Sequence, residues 1–146
     1  MAENERMTHP VQSELTCHVL IVEDSENCAA TMEMALLGIP GVSIMRVPSG
    51  LEALRILEQP GSDVQAIITD LNMPRMDGFE LIRRVREGSR RSTLPIIVVS
   101  ASTDPGTPER MAEMKVDAFF AKPFSPAEFR RKLEQLLHGT TDATSD

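Results

Sequence analysis

The sequence predicts an α/β fold: a doubly wound, five-stranded parallel sheet of order 2-1-3-4-5. Three observations carry this. Five short apolar runs rich in Val and Ile, "HVLIV" (18–22), "VSIMRV" (42–47), "QAIIT" (65–69), "PIIVVS" (95–100) and "AFFAK" (118–122), read as strands. They show little polar alternation, as expected of strands buried on both faces. Each is followed by a segment of helical periodicity, and right-handed crossovers place such helices on both sides of a sheet whose winding reverses between strands 1 and 3.

The helices are justified in turn. The first is expected from Ser25, burying Cys28, Met32, Ala35 and Leu36 at i, i+4, i+7 and i+8 before "GIPG" ends it. The second opens on "SGLE", where Ser49 caps the free amides and Glu52 reaches back. "DGFE" (77–80) offers the third helix the same device. In "TPERMAEMK" the fourth has Thr107 as cap and Pro108 at its first position. The fifth, "SPAEFRRKLEQLLHG", combines a Ser125 cap, Pro126, Glu128 and core-facing Phe129, Leu133, Leu136 and Leu137, with Gly139 as the stop.

Composition limits what this fold can do. With 146 residues, 41% of them hydrophobic, the chain can bury one core. A net charge of −7 and a pI of about 5.0 argue against nucleic acid or an anionic membrane as partner. Arg90, Arg91, Arg130, Arg131 and Lys132 then read as solvated helix and loop faces. No apolar segment reaches the length of a membrane span and the N-terminus has no export pattern, so a cytoplasmic location is expected. Cys17 and Cys28 lack metal-site spacing and read as packing residues in a reduced compartment. Residues 1–16 are expected to form a flexible arm, 17–138 the domain, and 139–146 a disordered tail. That leaves no room for an output domain, so a stand-alone unit acting through another protein is expected.

In such sheets ligands bind outside the carboxyl ends of the strands, at the winding reversal. The residues there are Glu23 and Asp24 after strand 1, Asp70 after strand 3, Ser100 at the end of strand 4 and Lys122 at the end of strand 5. One acid at a strand end is ordinarily a cap or loop residue. Three carboxylates, a hydroxyl and an ammonium at one edge point to chemistry. Oxygen donors without Cys or His favour Mg²⁺, and Asp70 can then act as nucleophile toward a phosphoryl group whose oxygens Lys122 and Ser100 hold. At separations of about 4–5 Å the carboxylates would repel by roughly 3–4 kcal/mol per pair. The metal-free site should therefore be strained, and Asp24→Asn should relieve it. The histidines, His9, His18 and His138, fall outside this edge, and Met73, Met76, Met111 and Met114 read as packing or loop residues.

Four segments, "VLIVEDS", "IITDLNMPRMDGFEL", "PIIVVSAS" and "AFFAKPF", together resemble the receiver domain of two-component response regulators, a flavodoxin-like (βα)5 fold, over residues 17–138. The resemblance implies that Asp70 is the phosphoacceptor and that Asp24, Asp70 and the backbone carbonyl of Asn72 ligate Mg²⁺, with Glu23 acting through a metal-bound water. It pairs Ser100 and Phe119 as switch positions, matches Lys122 to the family's lysine, and makes Lys122–Pro123 a cis peptide. Phe119 stands where many receivers carry Tyr, so no phenol hydroxyl is available, and Asn72 and Ser102 occupy positions that tune phosphoryl lifetime.

The implied donor is a phosphohistidine on a histidine kinase or histidine phosphotransfer protein. The implied output is a downstream protein bound by the fourth helix, fifth strand and fifth helix. Such a chain is a phosphoacceptor that assists its own phosphorylation and dephosphorylation, not an enzyme. Three rivals remain. A flavin binder would need a Ser/Thr/Gly-rich phosphate loop where "EDSEN" stands. An aspartyl-phosphate phosphohydrolase similar to haloacid dehalogenases would carry a second Asp where Asn72 stands. A receiver-shaped interaction module that is never phosphorylated would not need the complete site.

Overall fold

The computed structural model of the chain describes residues 17–88, 92–101 and 104–145. Five parallel strands, β1 (Cys17–Val22), β2 (Val42–Val47), β3 (Val64–Thr69), β4 (Ile96–Ser100) and β5 (Ala118–Ala121), form one sheet of order β2-β1-β3-β4-β5. The expected order is the observed one. Five helices alternate with the strands: α1 (Glu26–Leu36), α2 (Gly50–Glu58), α3 (Gly78–Glu87), α4 (Thr107–Glu113) and α5 (Pro126–Ser145).

Strand side chains point alternately to the two faces, and the core divides accordingly. Leu20, Val22, Ile67, Ile96 and Val98 pack with Ala53, Leu54, Leu57, Leu81, Ile82 and Val85 of α2 and α3 and with Met111 of α4. Val19, Ile21, Ala66, Ile68, Ile97 and Val99 pack on the other face with Ala29, Met32 and Leu36 of α1 and with Phe129 and Leu133 of α5. Phe129 also meets Phe120 edge-on and Phe124 at a tilt, with ring centroids 5.3 and 5.0 Å away. Both faces of the central strands β1, β3 and β4 are covered, which explains their lack of polar alternation, whereas the edge strands β2 and β5 leave side chains such as Met45 and Phe119 exposed.

Ser25, Ser49, Asp77 and Ser125 cap their helices as expected, each accepting from the backbone N–H three residues on. Three helix details differ. In α1, Ala29 is fully buried, whereas Cys28 and Ala35 are only half-buried flank residues. The cap of α4 is Gly106, not Thr107. The Asp104 side chain accepts from Gly106 N–H and the Asp104 carbonyl from Thr107 N–H, which starts the turn earlier and carries Thr107 into the helix as a buried residue. Finally, α5 continues through Gly139 to Ser145. Glycine ends a helix by adopting a left-handed backbone; without it, glycine costs only about 1 kcal/mol and stops nothing.

The expected arm 1–16, with His9, and the positions Arg90, Arg91 and Ser102 lie outside the described residues. Both cysteines are free, and burial pushes the Cys17 thiol up from its ordinary pKa. The four methionines singled out are buried or, for Met114, half-buried. Among the described residues, no helix is long and apolar enough to cross a membrane.

One tertiary clamp carries no sequence signature. Arg86, at the end of α3, donates to the carbonyls of Leu94 and Lys115 at 2.7 Å and of Ser92 and Met114 at 3.1 Å. Its guanidinium also lies 3.7 Å from Asp117, whose carboxylate accepts from Ile96 N–H. A planar fork of five donors suits such multiple capture, and the clamp fixes where β4 and β5 begin.

Candidate functional site

The carboxyl edge of the sheet is held in register one residue beyond the strands. Glu23 N–H donates to the Val47 carbonyl at 3.0 Å, Asp70 N–H to Val22 at 3.2 Å, and Lys122 N–H to Ser100 at 3.0 Å. These extra ladder bonds bring the backbones of Glu23, Asp70 and Lys122 to a common edge. Lys122 lies just past β5, which ends at Ala121, rather than within it as expected.

Asp70 is buried, and both of its oxygens are engaged. Oδ1 accepts from the backbone N–H of Leu71 at 2.6 Å and of Asn72 at 3.3 Å, while Oδ2 accepts from Lys122 Nζ at 3.1 Å. Glu23, also buried, accepts from Lys122 Nζ at 3.0 Å and from Ser25 N–H at 3.1 Å. Burial raises the Glu23 carboxyl pKa, and the hydrogen bonds from Lys122 and Ser25 offset only part of that rise. Burial alone would lower the Lys122 pKa. Its hydrogen bonds to Glu23 and Asp70, and their charges, outweigh burial and hold the ammonium above the ordinary lysine value.

Asp24 is exposed, yet one oxygen from each of Glu23, Asp24 and Asp70 lies within 4.8 Å of the others. The donor set is all oxygen, which fits a hard divalent cation such as Mg²⁺. Two features oppose the strain expected from charge counting. Lys122 bridges the two buried acids, and water screens the third. Ser100 is fully buried, with its Oγ accepting from Asn72 Nδ2 at 3.3 Å. Phe119 on β5, opposite Val98, keeps 38% of its surface exposed.

Glu23, Asp24, Asp70, Asn72, Ser100 and Lys122 therefore meet at one edge, with Phe119 two residues before Ala121, the partner of Ser100. The Lys122–Pro123 peptide is cis. His18 pairs with Asp63 at 3.1 Å at the opposite end of β1, away from the site. Sequence reasoning missed Gly78. Its N–H donates to the Leu71 carbonyl at 2.9 Å, and a Cβ there would collide with the Asp70 carbonyl oxygen and stand 2.7 Å from Leu71 Cα. The glycine lets the start of α3 press against the backbone that carries Asp70. Its signal is a Gly directly after the cap in "MDGFE", a pattern that by itself indicates only helix capping.

The model of the response regulator receiver domain family matches residues 19–134. The chain belongs to this family. This receiver domain is 33% identical over 126 residues to chemotaxis protein CheY1 of Helicobacter pylori, covering 85% of the chain and 98% of the relative. Among solved structures, it superposes on the chemotaxis response regulator CheY4 of Vibrio cholerae with a TM-score of 0.71 and 29% identity, covering 84% of this chain and 98% of that one. It is also similar to the receiver domain of the sensor histidine kinase PA1611 of Pseudomonas aeruginosa, with a TM-score of 0.71, 28% identity and the same coverage. That structure holds a magnesium ion coordinated in its active-site cleft. Phosphorylation at an aspartate and magnesium binding are general features of receiver domains.

Proposed function

We propose that this receiver domain is a cytoplasmic phosphoacceptor switch, not a turnover enzyme, whose Asp70 takes a phosphoryl group from a phosphohistidine of a histidine kinase or histidine phosphotransfer protein. The supporting observation is the setting of Asp70: a buried carboxylate fixed by two backbone amides and an ammonium, beside the exposed Asp24. A bond forms between a carboxylate oxygen of Asp70 and phosphorus as the phosphohistidine N–P bond breaks, and the imidazole leaves with the electron pair. The Leu71 and Asn72 amides orient the carboxylate, and Lys122 stands where its charge can hold a phosphoryl oxygen. Glu23, Asp24, Asp70 and the carbonyl of Asn72 would hold Mg²⁺, which when bound neutralises charge on the phosphoryl oxygens.

Incubation with Mg²⁺ and a small phosphodonor, followed by intact mass, tests the assignment. One added phosphoryl is expected on wild type and none on Asp70→Asn. An unmodified wild-type chain would favour the receiver-shaped module that is never phosphorylated.

Output is assigned to the face of α4, β5 and α5, where a downstream protein would bind. Ser100, buried beside Asp70, moves to hydrogen-bond the phosphoryl group, and Phe119 turns from solvent into the space vacated, a shift between two populated states. The neighbouring pairings Val98 to Phe119 and Ser100 to Ala121 give this coupling a short path. In Ser100→Ala, Asp70 should still be phosphorylated, but the NMR shifts that phosphorylation induces at Phe119 should shrink severalfold. Equal shifts in variant and wild type would move the coupling elsewhere.

A further inference from the structure

Between α3 and α4 lies an open groove of about 490 Å³ that none of the site's carboxylates lines. Arg75, Arg83, Arg84 and Arg110 line it, against only two acids, Asp77 and Glu80. Neither acid is available to a ligand in any simple way. Asp77 caps α3 through Glu80 N–H at 2.9 Å, and Glu80 is taken by Arg83 and Arg84 at 2.6 and 2.7 Å. Those hydrogen bonds hold the Glu80 carboxyl below its ordinary pKa.

The remaining two arginines are differently placed. Arg110 places its guanidinium carbon over the Phe79 ring, 3.5 Å from the centroid, a cation–π contact that holds the side chain at the groove. Arg75 sits in the β3–α3 loop with φ of 71°, a left-handed backbone uncommon for a residue with a Cβ. Among the described residues, neither makes an ion pair. Apolar lining comes from Met76, Phe79 and Met114, two of them flexible thioethers that adapt to varied shapes.

In a chain of net charge −7, this is a local positive groove with a minor apolar lining. We infer that it docks an acidic protein segment, one that sets carboxylates against Arg75 and Arg110 and an apolar side chain against Met76 and Met114. Charge complementarity argues for that occupant. A second copy of this acidic chain would meet repulsion over most of its surface, and a nucleic acid needs a run of cations along its phosphates, where this groove offers two arginines outside ion pairs among the described residues. The groove borders the α4–β5–α5 face through Arg110 and Met114, but its other lining residues come from α3 and the loop before it.

The test titrates the isotope-labelled full chain with an amphipathic peptide of Glu, Leu and Ala, about 15 residues long, followed by NMR. A peptide with Lys in place of Glu serves as control. The acidic peptide should shift the amides of Arg75, Phe79, Arg110 and Met114, with affinity falling as salt rises, and the basic peptide should not. Arg75→Glu with Arg110→Glu, both on the surface, should melt like wild type and bind at least about tenfold more weakly. Several outcomes overturn the inference: shifts mapping to another face, unchanged affinity in the double variant, equal binding of the basic peptide, or shifts with a single-stranded oligonucleotide but not the acidic peptide. Groove shifts that appear on concentrating the protein alone would assign it to a second copy instead.

Discussion

Gly78→Ala should lose roughly 3 kcal/mol or more of stability and displace Asp70 in the population that stays folded. The reason is which atoms the new methyl meets. Flexible side-chain ends can swing aside, but here the obstacles are the Asp70 carbonyl group and Leu71 Cα, backbone atoms locked by the ladder bond from Asp70 N–H to Val22. Relief requires moving either the start of α3 or the end of β3, and both carry the site. Gly106→Ala is the control. Its Cβ would meet nothing nearer than Asp104 Oδ1 at 3.6 Å, so a loss of no more than about 1 kcal/mol, the cost of Ala at a helix cap, is expected. Urea melts of both variants decide it. If Gly78→Ala unfolds at the same denaturant concentration as Gly106→Ala, the close approach under Asp70 does not exist in solution.

Lys122→Met should be comparably harmful without metal, by about 3 kcal/mol. Glu23 and Asp70 are 4% and 5% exposed, and the ammonium between them is their common counter-charge. Removing it leaves two facing buried carboxylates, whereas a partner lost at the surface would cost little. Asp24→Asn makes the contrast. Because Asp24 is exposed, the substitution should shift metal-free stability by less than about 1 kcal/mol, not by the large relief that counting three equal repulsions suggested. A ligand that binds only the folded state raises the melting temperature by mass action. Millimolar Mg²⁺ should therefore stabilise wild type and Lys122→Met, and Asp24→Asn much less. Thermal melts with EDTA and with Mg²⁺ check all three chains. Lys122→Met melting level with wild type in EDTA would mean that the Glu23–Lys122–Asp70 bridge is not formed.

The fold and most of the site were legible in the chain itself because they rest on local or periodic signals. Val- and Ile-rich runs mark strands covered on both faces, caps such as Ser49 and Asp77 mark helix starts, and handed crossovers then leave few windings. Strand ends follow from those, which is why the sequence alone places Glu23, Asp70, Ser100 and Lys122 at one edge. What only the tertiary structure decided are contacts whose partners are distant in sequence and whose residue types are common. Arg86 looks like any arginine in the last turn of a helix until four carbonyls from two other segments converge on it. Gly78 looks like part of a turn until the backbone of Asp70 is set against it. The charge balance was likewise hidden: burial separates Glu23 and Asp70 from the exposed Asp24, and Lys122, 99 residues from Glu23, bridges only the buried two. Composition and spacing report which charges are near one another, but the dielectric around each is set by packing, and that exists only once the chain has folded.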